Sequence, residues 1–126
     1  MARSQRRSNR KPSGGRYHFN RTKRLRELAG FQSNTKLEKE KKVKTARVTG
    51  GNVKSALLAV SQVNVTDKKG KATKVDILNV VGNPANPHLV RRNIITKGAI
   101  VETKLGKVRI TSRPGQEAAL NGRLVE

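Results

Sequence analysis

Residues 56–81 read ALLAVSQVNVTDKKGKATKVDILNVV, and this stretch decides the fold class. Two runs rich in Val, Ile and Leu, 56–65 and 74–81, flank a polar segment that contains Gly70. Aliphatic and β-branched residues bounded by turn signals are typical of strands. Short loops with a glycine connect antiparallel neighbours. The stretch therefore predicts a β-hairpin with its loop at 67–71.

Both runs depart from strict alternation of apolar and polar residues. In the first run the apolar positions slip between Val60 and Val63, which predicts a bulge or a strong bend. In the second run they change parity near Ile77 and Leu78, which predicts a strand covered on both sides for part of its length. Further strands are predicted at 88–95, 99–103, 107–111 and 118–125.

The apolar residues are concentrated in the second part of the chain. Val, Ile and Leu number 24 in residues 48–126 and four in residues 1–47, so only the second part can bury a core. The segment KVRIT, residues 107–111, alternates cleanly and places Val108 and Ile110 inward. About six short strands at close spacing predict a mainly β fold, a small closed or highly curved antiparallel β-barrel.

Charge limits the functions that suit this chain. It carries 29 Lys and Arg against 8 Asp and Glu, a formal charge of +21. Such a charge needs a polyanion to neutralise it, so nucleic acid is the expected partner. The chain has no Cys, which excludes a disulfide framework, a thiolate zinc site and a Cys nucleophile. No apolar run approaches the roughly 18 residues of a membrane-spanning helix.

The most basic segment, 1–26, contains no acidic residue and too few apolar residues to form a core, so we expect disorder without a partner. Residues 21–29 predict a short helix that stops at Gly30. We expect a basic, extended N-terminal extension over 1–42 and a β-barrel domain over 43–126. A tail that serves only solubility or import is the alternative. The cations expected to meet phosphates are Arg3, Arg6, Arg7, Arg10, Lys11, Arg16, Arg21, Lys23, Arg24 and Arg26.

Aromatic residues are confined to the N-terminal part of the chain. Tyr17 and Phe19 lie among these cations, where their rings can stack on bases or riboses. The alternative is that both rings dock the extension on the barrel. The predicted strands contain no aromatic residue, so the sheet is not a platform on which bases stack.

A Gly-Gly loop between two cations is a further candidate for a phosphate contact. Two glycines let the backbone approach an anion closely, although a tight turn before a strand is the simpler explanation. An Arg-Arg pair in the predicted strand 88–95 places one Arg on each face, and at least one of them is expected to face RNA. These additional RNA-binding candidates are Arg47, Gly50, Gly51, Asn52, Lys54, Arg91 and Arg92.

Catalysis has little support in the sequence. His18 and His88 lie far apart, and no carboxylate pair has metal-ligand spacing. No loop resembles a nucleotide-phosphate loop. We expect no enzymatic activity, metal, cofactor or small-molecule substrate. An enzyme that modifies RNA is therefore the weakest alternative, and a chromatin-type DNA-binding barrel is stronger. The latter would use apolar wedges or groove-reading side chains, and the strands show neither.

Targeting segments are also not evident. The N-terminal residues lack the apolar helical face of a mitochondrial presequence and the apolar region of a secretory signal. We therefore expect a protein of the cytoplasm that does not associate with a membrane.

Four blocks of the sequence are distinctive: KPSGGRYHFNRTKRLRELAG (11–30), KTARVTGGNVKSALL (44–58), ILNVVGNPANPHLVRRNIITKGAIVET (77–103) and VRITSRPGQ (108–116). Together they resemble the ribosomal protein S8e family in its short archaeal form. The resemblance implies a β-barrel whose basic N-terminal extension threads through small-subunit ribosomal RNA. It also implies an architectural role, beside neighbouring small-subunit proteins, in which the extension and Gly50, Gly51 and Asn52 contact RNA and stabilise its packing during assembly and translation.

Overall fold

The computed structural model describes residues 7–67 and 69–125, which divide into two compact units after Gln32. The described residues form nine strands and three short 3₁₀ helices, and all of the strands lie in the second unit. The strands are β1 (Thr35–Leu37), β2 (Lys42–Arg47), β3 (Val53–Val60), β4 (Gln62–Thr66), β5 (Ala72–Gly82), β6 (Ile94–Ile95), β7 (Ile100–Thr103), β8 (Gly106–Ile110) and β9 (Asn121–Leu124).

The first unit contains a small turn and one turn of helix. Arg10 and Arg16 form an antiparallel bridge, and the backbone N–H of Lys11 donates to the carbonyl of Gly15 at 2.8 Å. The helix expected near 21–29 is a 3₁₀ helix of three residues, Leu25–Glu27. A segment this short gains few hydrogen bonds for the backbone that it orders, which limits the helix to one turn.

Strands β1, β2, β3 and β6 form a four-stranded sheet in the order β2-β3-β1-β6. Strand β1 runs parallel to β3 and antiparallel to β6. Strand β1 lies near the start of the second unit, which begins at Ser33.

The remaining five strands close a barrel in the order β4-β5-β7-β8-β9, which confirms the small β-barrel. All neighbours are antiparallel except β4 and β9, which run parallel where the barrel closes. The predicted hairpin loop joins β4 to β5, and the N–H of Asp67 donates to the carbonyl of Lys71 at 3.0 Å. The predicted bend between Val60 and Val63 is confirmed at Ser61, where β3 ends before β4 begins.

The core is aliphatic and lies mainly inside the barrel. Val108 and Ile110 are buried as the alternation predicted, together with Val63, Val65 and Val101. Gly122 is also buried on β9, and it brings this strand close to the side chains of the barrel interior. The structure therefore needs a residue without a side chain at this position.

The expectation of a strand covered on both sides near Ile77 and Leu78 is wrong. The register of β5 on β7 shifts between Ile77 and Asn79, as a β-bulge does. Ile77 and Val80 are buried, whereas Leu78 is 56% exposed. The bulge changes the parity of the strand, so the apolar residues do not require cover on a second face.

The strand expected over 88–95 is also wrong for most of its length. Residues Pro87–Arg92 form a 3₁₀ helix, and only Ile94–Ile95 are extended in β6. Pro87 suits the first turn, and the Asn86 side chain accepts a hydrogen bond from the N–H of His88 at 3.0 Å. Asn93 ends the helix in the left-handed conformation, with φ 50°.

Candidate nucleic-acid interface

The second unit carries an exposed basic hairpin, which we define as residues 42–54. It consists of β2, the loop Val48–Asn52 and the start of β3. All six residues of β2 are exposed, and so is Lys54. A strand without a buried face contributes little to the core, so its sequence is free to carry cations.

Strand register places the cations of the basic hairpin on both of its faces. Ala46 lies opposite Lys54, and Lys44 lies two residues before Ala46 on the same face. Arg47 lies opposite Val53 on the other face. The hairpin therefore presents positive charge on each of its faces.

The Gly-Gly loop forms the tip of the basic hairpin. Gly50 and Gly51 both adopt positive φ, 81° and 77°, which other residues rarely do. The N–H of Val48 donates to the carbonyl of Asn52 at 2.8 Å and closes the loop. A tight turn is therefore part of the role of these glycines, and it holds Arg47 and Lys54 at the tip.

In the first unit, cations surround Tyr17. The guanidinium carbon of Arg7 lies 4.4 Å from the centre of the Tyr17 ring, and the ammonium of Lys11 lies 5.5 Å away. Tyr17 as a whole is 37% exposed. Its ring therefore contacts two cations of the extension while part of the residue stays open to solvent.

The other cations of the extension differ in their partners. Arg21 donates to both carboxylate oxygens of Glu27, at 2.5 and 3.2 Å, and Arg10 donates to the carbonyl of Gly14 at 2.8 Å. Arg16, Lys23, Arg24 and Arg26 are also exposed. Arg3 and Arg6 lie outside the described residues.

Arg91 and Arg92 do not lie on opposite faces of a strand, so that expectation is wrong. Both are in the last turn of the 3₁₀ helix and both are exposed. Cations at the C-terminal end of a helix also interact favourably with its free carbonyl groups. This local role exists beside any contact with RNA.

A third cluster of cations lies on the outer wall of the barrel and was missed by the sequence reasoning, which treated the barrel as a scaffold. It contains Arg109 on β8, Arg123 on β9 and Lys97 in the turn before β7. The alternation in 107–111 indicates that Arg109 points outward. The pairing of β8 with β9 has no comparable sequence signal, because it depends on how the barrel closes.

The described residues were also compared with what a metal site and a membrane-spanning helix require. Within 7–67 and 69–125, no group of three His, Cys, Asp or Glu side chains is placed to hold a metal ion. The same part of the chain contains no helix that is long and apolar enough to cross a membrane.

Comparison with known proteins gives one consistent result. Residues 4–125 match the family described as ribosomal protein S8e. Similar proteins named small ribosomal subunit protein eS8 occur in Methanobrevibacter smithii, with 51% identity over 99% of this chain and 100% of the relative, and in Methanocorpusculum labreanum, with 50% identity over 93% and 94%. In Methanococcus aeolicus the identity is 48%, over 94% of this chain and 93% of the relative. The chain belongs to the ribosomal protein S8e family.

Proposed function

We propose that this protein is a structural constituent of the small ribosomal subunit and binds its ribosomal RNA through the N-terminal extension and the basic hairpin. The observation that carries the proposal is the fully exposed strand β2, which projects cations on both faces of a hairpin. Relatives that match nearly the whole chain are named as small-subunit proteins, which supports the same assignment. The protein then resides in the ribosome, in the cytoplasm, with other small-subunit proteins as neighbours.

The proposed mechanism is neutralisation of phosphates at fixed positions. Each cation that contacts a phosphate releases counterions from the RNA, and an Arg fork can bridge two phosphate oxygens. The second unit supplies rigidity, because β3 of the hairpin pairs with β1 in the four-stranded sheet. RNA segments that contact both the extension and the hairpin are thereby held together, which is an architectural role rather than a catalytic one.

The net charge supports this mechanism. A formal charge of +21 on 126 residues creates strong self-repulsion, which bound phosphates relieve. Intramolecular ion pairs leave this excess in place, because the formal charge already subtracts all eight acidic residues. Pairs within residues 7–67 and 69–125 include Arg21 with Glu27 and Lys42 with Glu38. Arg47 and Lys54 of the basic hairpin take no part in them.

Sedimentation of a lysate on a density gradient tests the assignment. We expect the protein at unit stoichiometry with the small subunit at moderate salt, and release from that fraction after ribonuclease treatment. A protein that follows DNA and survives ribonuclease would instead be the chromatin-type rival.

Variants of the basic hairpin test the residues. We expect K44Q/K54Q to lower the occupancy of the protein in small subunits under a salt wash, whereas K74Q/K104Q, which removes two exposed cations outside the extension and the hairpin, leaves it near wild type. Equal loss in both variants would show that net charge, and not the hairpin, governs binding.

A further inference from the structure

Two arginines face each other on the outer wall of the barrel. Arg109 of β8 lies directly opposite Arg123 of β9 in the strand register. Both residues are exposed, and their neighbours Val108 and Ile110 point into the core. Side chains of directly opposed residues on one face of an antiparallel pair are close neighbours. The two side chains therefore begin at neighbouring positions on the same outer face.

This arrangement is unfavourable unless an anion joins it. Like charges directly opposite each other destabilise a strand pair. In the described part of the chain neither Arg109 nor Arg123 forms an ion pair with a carboxylate. Glu102, on the adjacent strand β7, lies opposite Lys107 rather than opposite Arg109. Arg109 itself faces Ile100 across that pair of strands.

A third cation completes the cluster. Lys97 and the two arginines line one open hollow, together with Gly98 and Thr111. The N–H of Gly98 donates to the carbonyl of Ile110 at 2.8 Å, which fastens the turn containing Lys97 to β8. Three cations thus converge on a hollow whose walls are strands and a hydrogen-bonded turn.

Backbone hydrogen bonds before and after the Arg109–Arg123 pair fix the strands that form the walls of the hollow. The N–H of Thr111 donates to the carbonyl of Asn121 at 2.9 Å, and the N–H of Val125 donates to the carbonyl of Lys107 at 2.9 Å. These bonds lie on either side of the Arg109–Arg123 pair and fix the register there. Cations carried on ordered strands lose less freedom on binding an anion than cations on a loose tail.

We propose that Lys97, Arg109 and Arg123 form a phosphate-binding site that takes the backbone of RNA. Planar Arg forks match phosphate oxygens, and Lys adds a point charge. The barrel contains no aromatic residue, because the aromatic residues of the chain are Tyr17, Phe19 and Phe31, so no aromatic side chain of the site stacks on a base. This inference rests on the proposed function only in naming ribosomal RNA as the source of the phosphates.

The first arm of the test uses the full-length protein with inorganic phosphate. We expect its unfolding temperature to be higher in phosphate than in chloride at equal ionic strength, because a ligand that binds the folded state stabilises it. R109Q/R123Q should show a clearly smaller increase than the wild type, because the general stabilisation by phosphate remains while the site is lost, and R109K/R123K should be intermediate. K74Q/K104Q removes the same charge from exposed positions outside the cluster and should match the wild type. An equal loss in the last variant would overturn the proposal.

The second arm measures binding to a transcript of small-subunit ribosomal RNA at several salt concentrations. Loss of two phosphate contacts should reduce the slope of log K against log salt by about 1.4 to 1.8 in R109Q/R123Q. An unchanged slope would show that the cluster does not contact RNA. If phosphate stabilises the protein but the slope stays constant, the cluster binds an adventitious ion only. That result also overturns the proposal.

The two arms separate this proposal from the proposed function. If the wild-type protein fails to bind the ribosomal RNA transcript, the proposed function fails, and a generic RNA duplex replaces the transcript in the second arm. A reduced slope for R109Q/R123Q on that duplex would still support a phosphate site for RNA. An unchanged slope would overturn the site as well.

Discussion

Replacing Gly122 with alanine tests the barrel that positions the proposed sites. A Cβ atom on Gly122 would lie 2.4 Å from Cγ1 of Val108 and 3.1 Å from the carbonyl oxygen of Arg109. Carbon atoms in van der Waals contact are about 3.5–4.0 Å apart, so the strand or the valine must move by roughly 1 Å or more. Overpacking a well-packed core costs about 1–3 kcal/mol. We therefore expect G122A to lower the free energy of unfolding by about 1–3 kcal/mol.

Gly82→Ala is the matched control for this experiment. Gly82 also lies in a strand of the barrel, but the nearest atoms to its added Cβ belong to Ile100, at 3.9 Å. This is an ordinary contact distance, so we expect a change of less than about 0.5 kcal/mol. Denaturant titration, followed by far-UV circular dichroism, measures both variants. Equal stabilities for G122A and G82A would refute the close approach of β9 to the barrel core.

Three further predictions concern other parts of the chain. Asn93→Val should destabilise the protein by about 1 kcal/mol or more relative to Asn93→Gly, because a β-branched residue disfavours the left-handed conformation there. Thermal unfolding of both variants measures the difference, and equal midpoints would contradict the prediction. Deletion of residues 1–26 should leave a folded barrel but abolish stable incorporation into subunits; circular dichroism and the occupancy of purified subunits measure these effects, and normal occupancy would contradict the role of the extension. Tyr17→Ala should weaken RNA binding by about two- to fivefold, which is the equivalent of a cation–π contact of about 0.5–1 kcal/mol. Tyr17→Phe keeps the ring and should retain the affinity. Titrations with RNA measure both variants, and equal losses would assign the effect to the hydroxyl group instead of the ring.

Much of the barrel could be predicted from local sequence patterns. The alternation of KVRIT identifies the inward residues Val108 and Ile110, and the glycine-containing loop at 67–71 identifies the hairpin. Both signals are local, because side-chain alternation and turn chemistry depend on neighbouring residues. The parallel pairing of β4 with β9 is not local, since these strands are far apart in the sequence. No pattern within either strand specifies that partner.

The segment 88–95 shows why a local signal can be misleading. Its apolar residues fit a strand, and the sequence reasoning predicted one. The flanking residues determine the outcome: Pro87 and the Asn86 cap favour a helical turn, and Asn93 ends it. Capping and a left-handed residue are also visible in the sequence, so this difference could have been predicted from the flanks.

The candidate interface also contains parts that the sequence predicts and parts that form only when the chain folds. Clusters that are continuous in sequence, such as the N-terminal cations and the pair around the Gly-Gly loop, are recognisable from composition. The Arg109–Arg123 pair is not, because the two residues meet only when β8 and β9 become neighbours. The sequence also does not reveal that Tyr17 lies between Arg7 and Lys11.

The most direct test of the proposed role is photochemical crosslinking of protein to RNA in purified small subunits, followed by identification of the crosslinked peptides. We predict crosslinks from the N-terminal extension and from the basic hairpin, residues 42–54, with a further crosslink at the barrel wall around Arg109 and Arg123. Crosslinks that come only from other surfaces of the barrel, with none from the extension or the hairpin, would contradict the proposed mode of RNA binding.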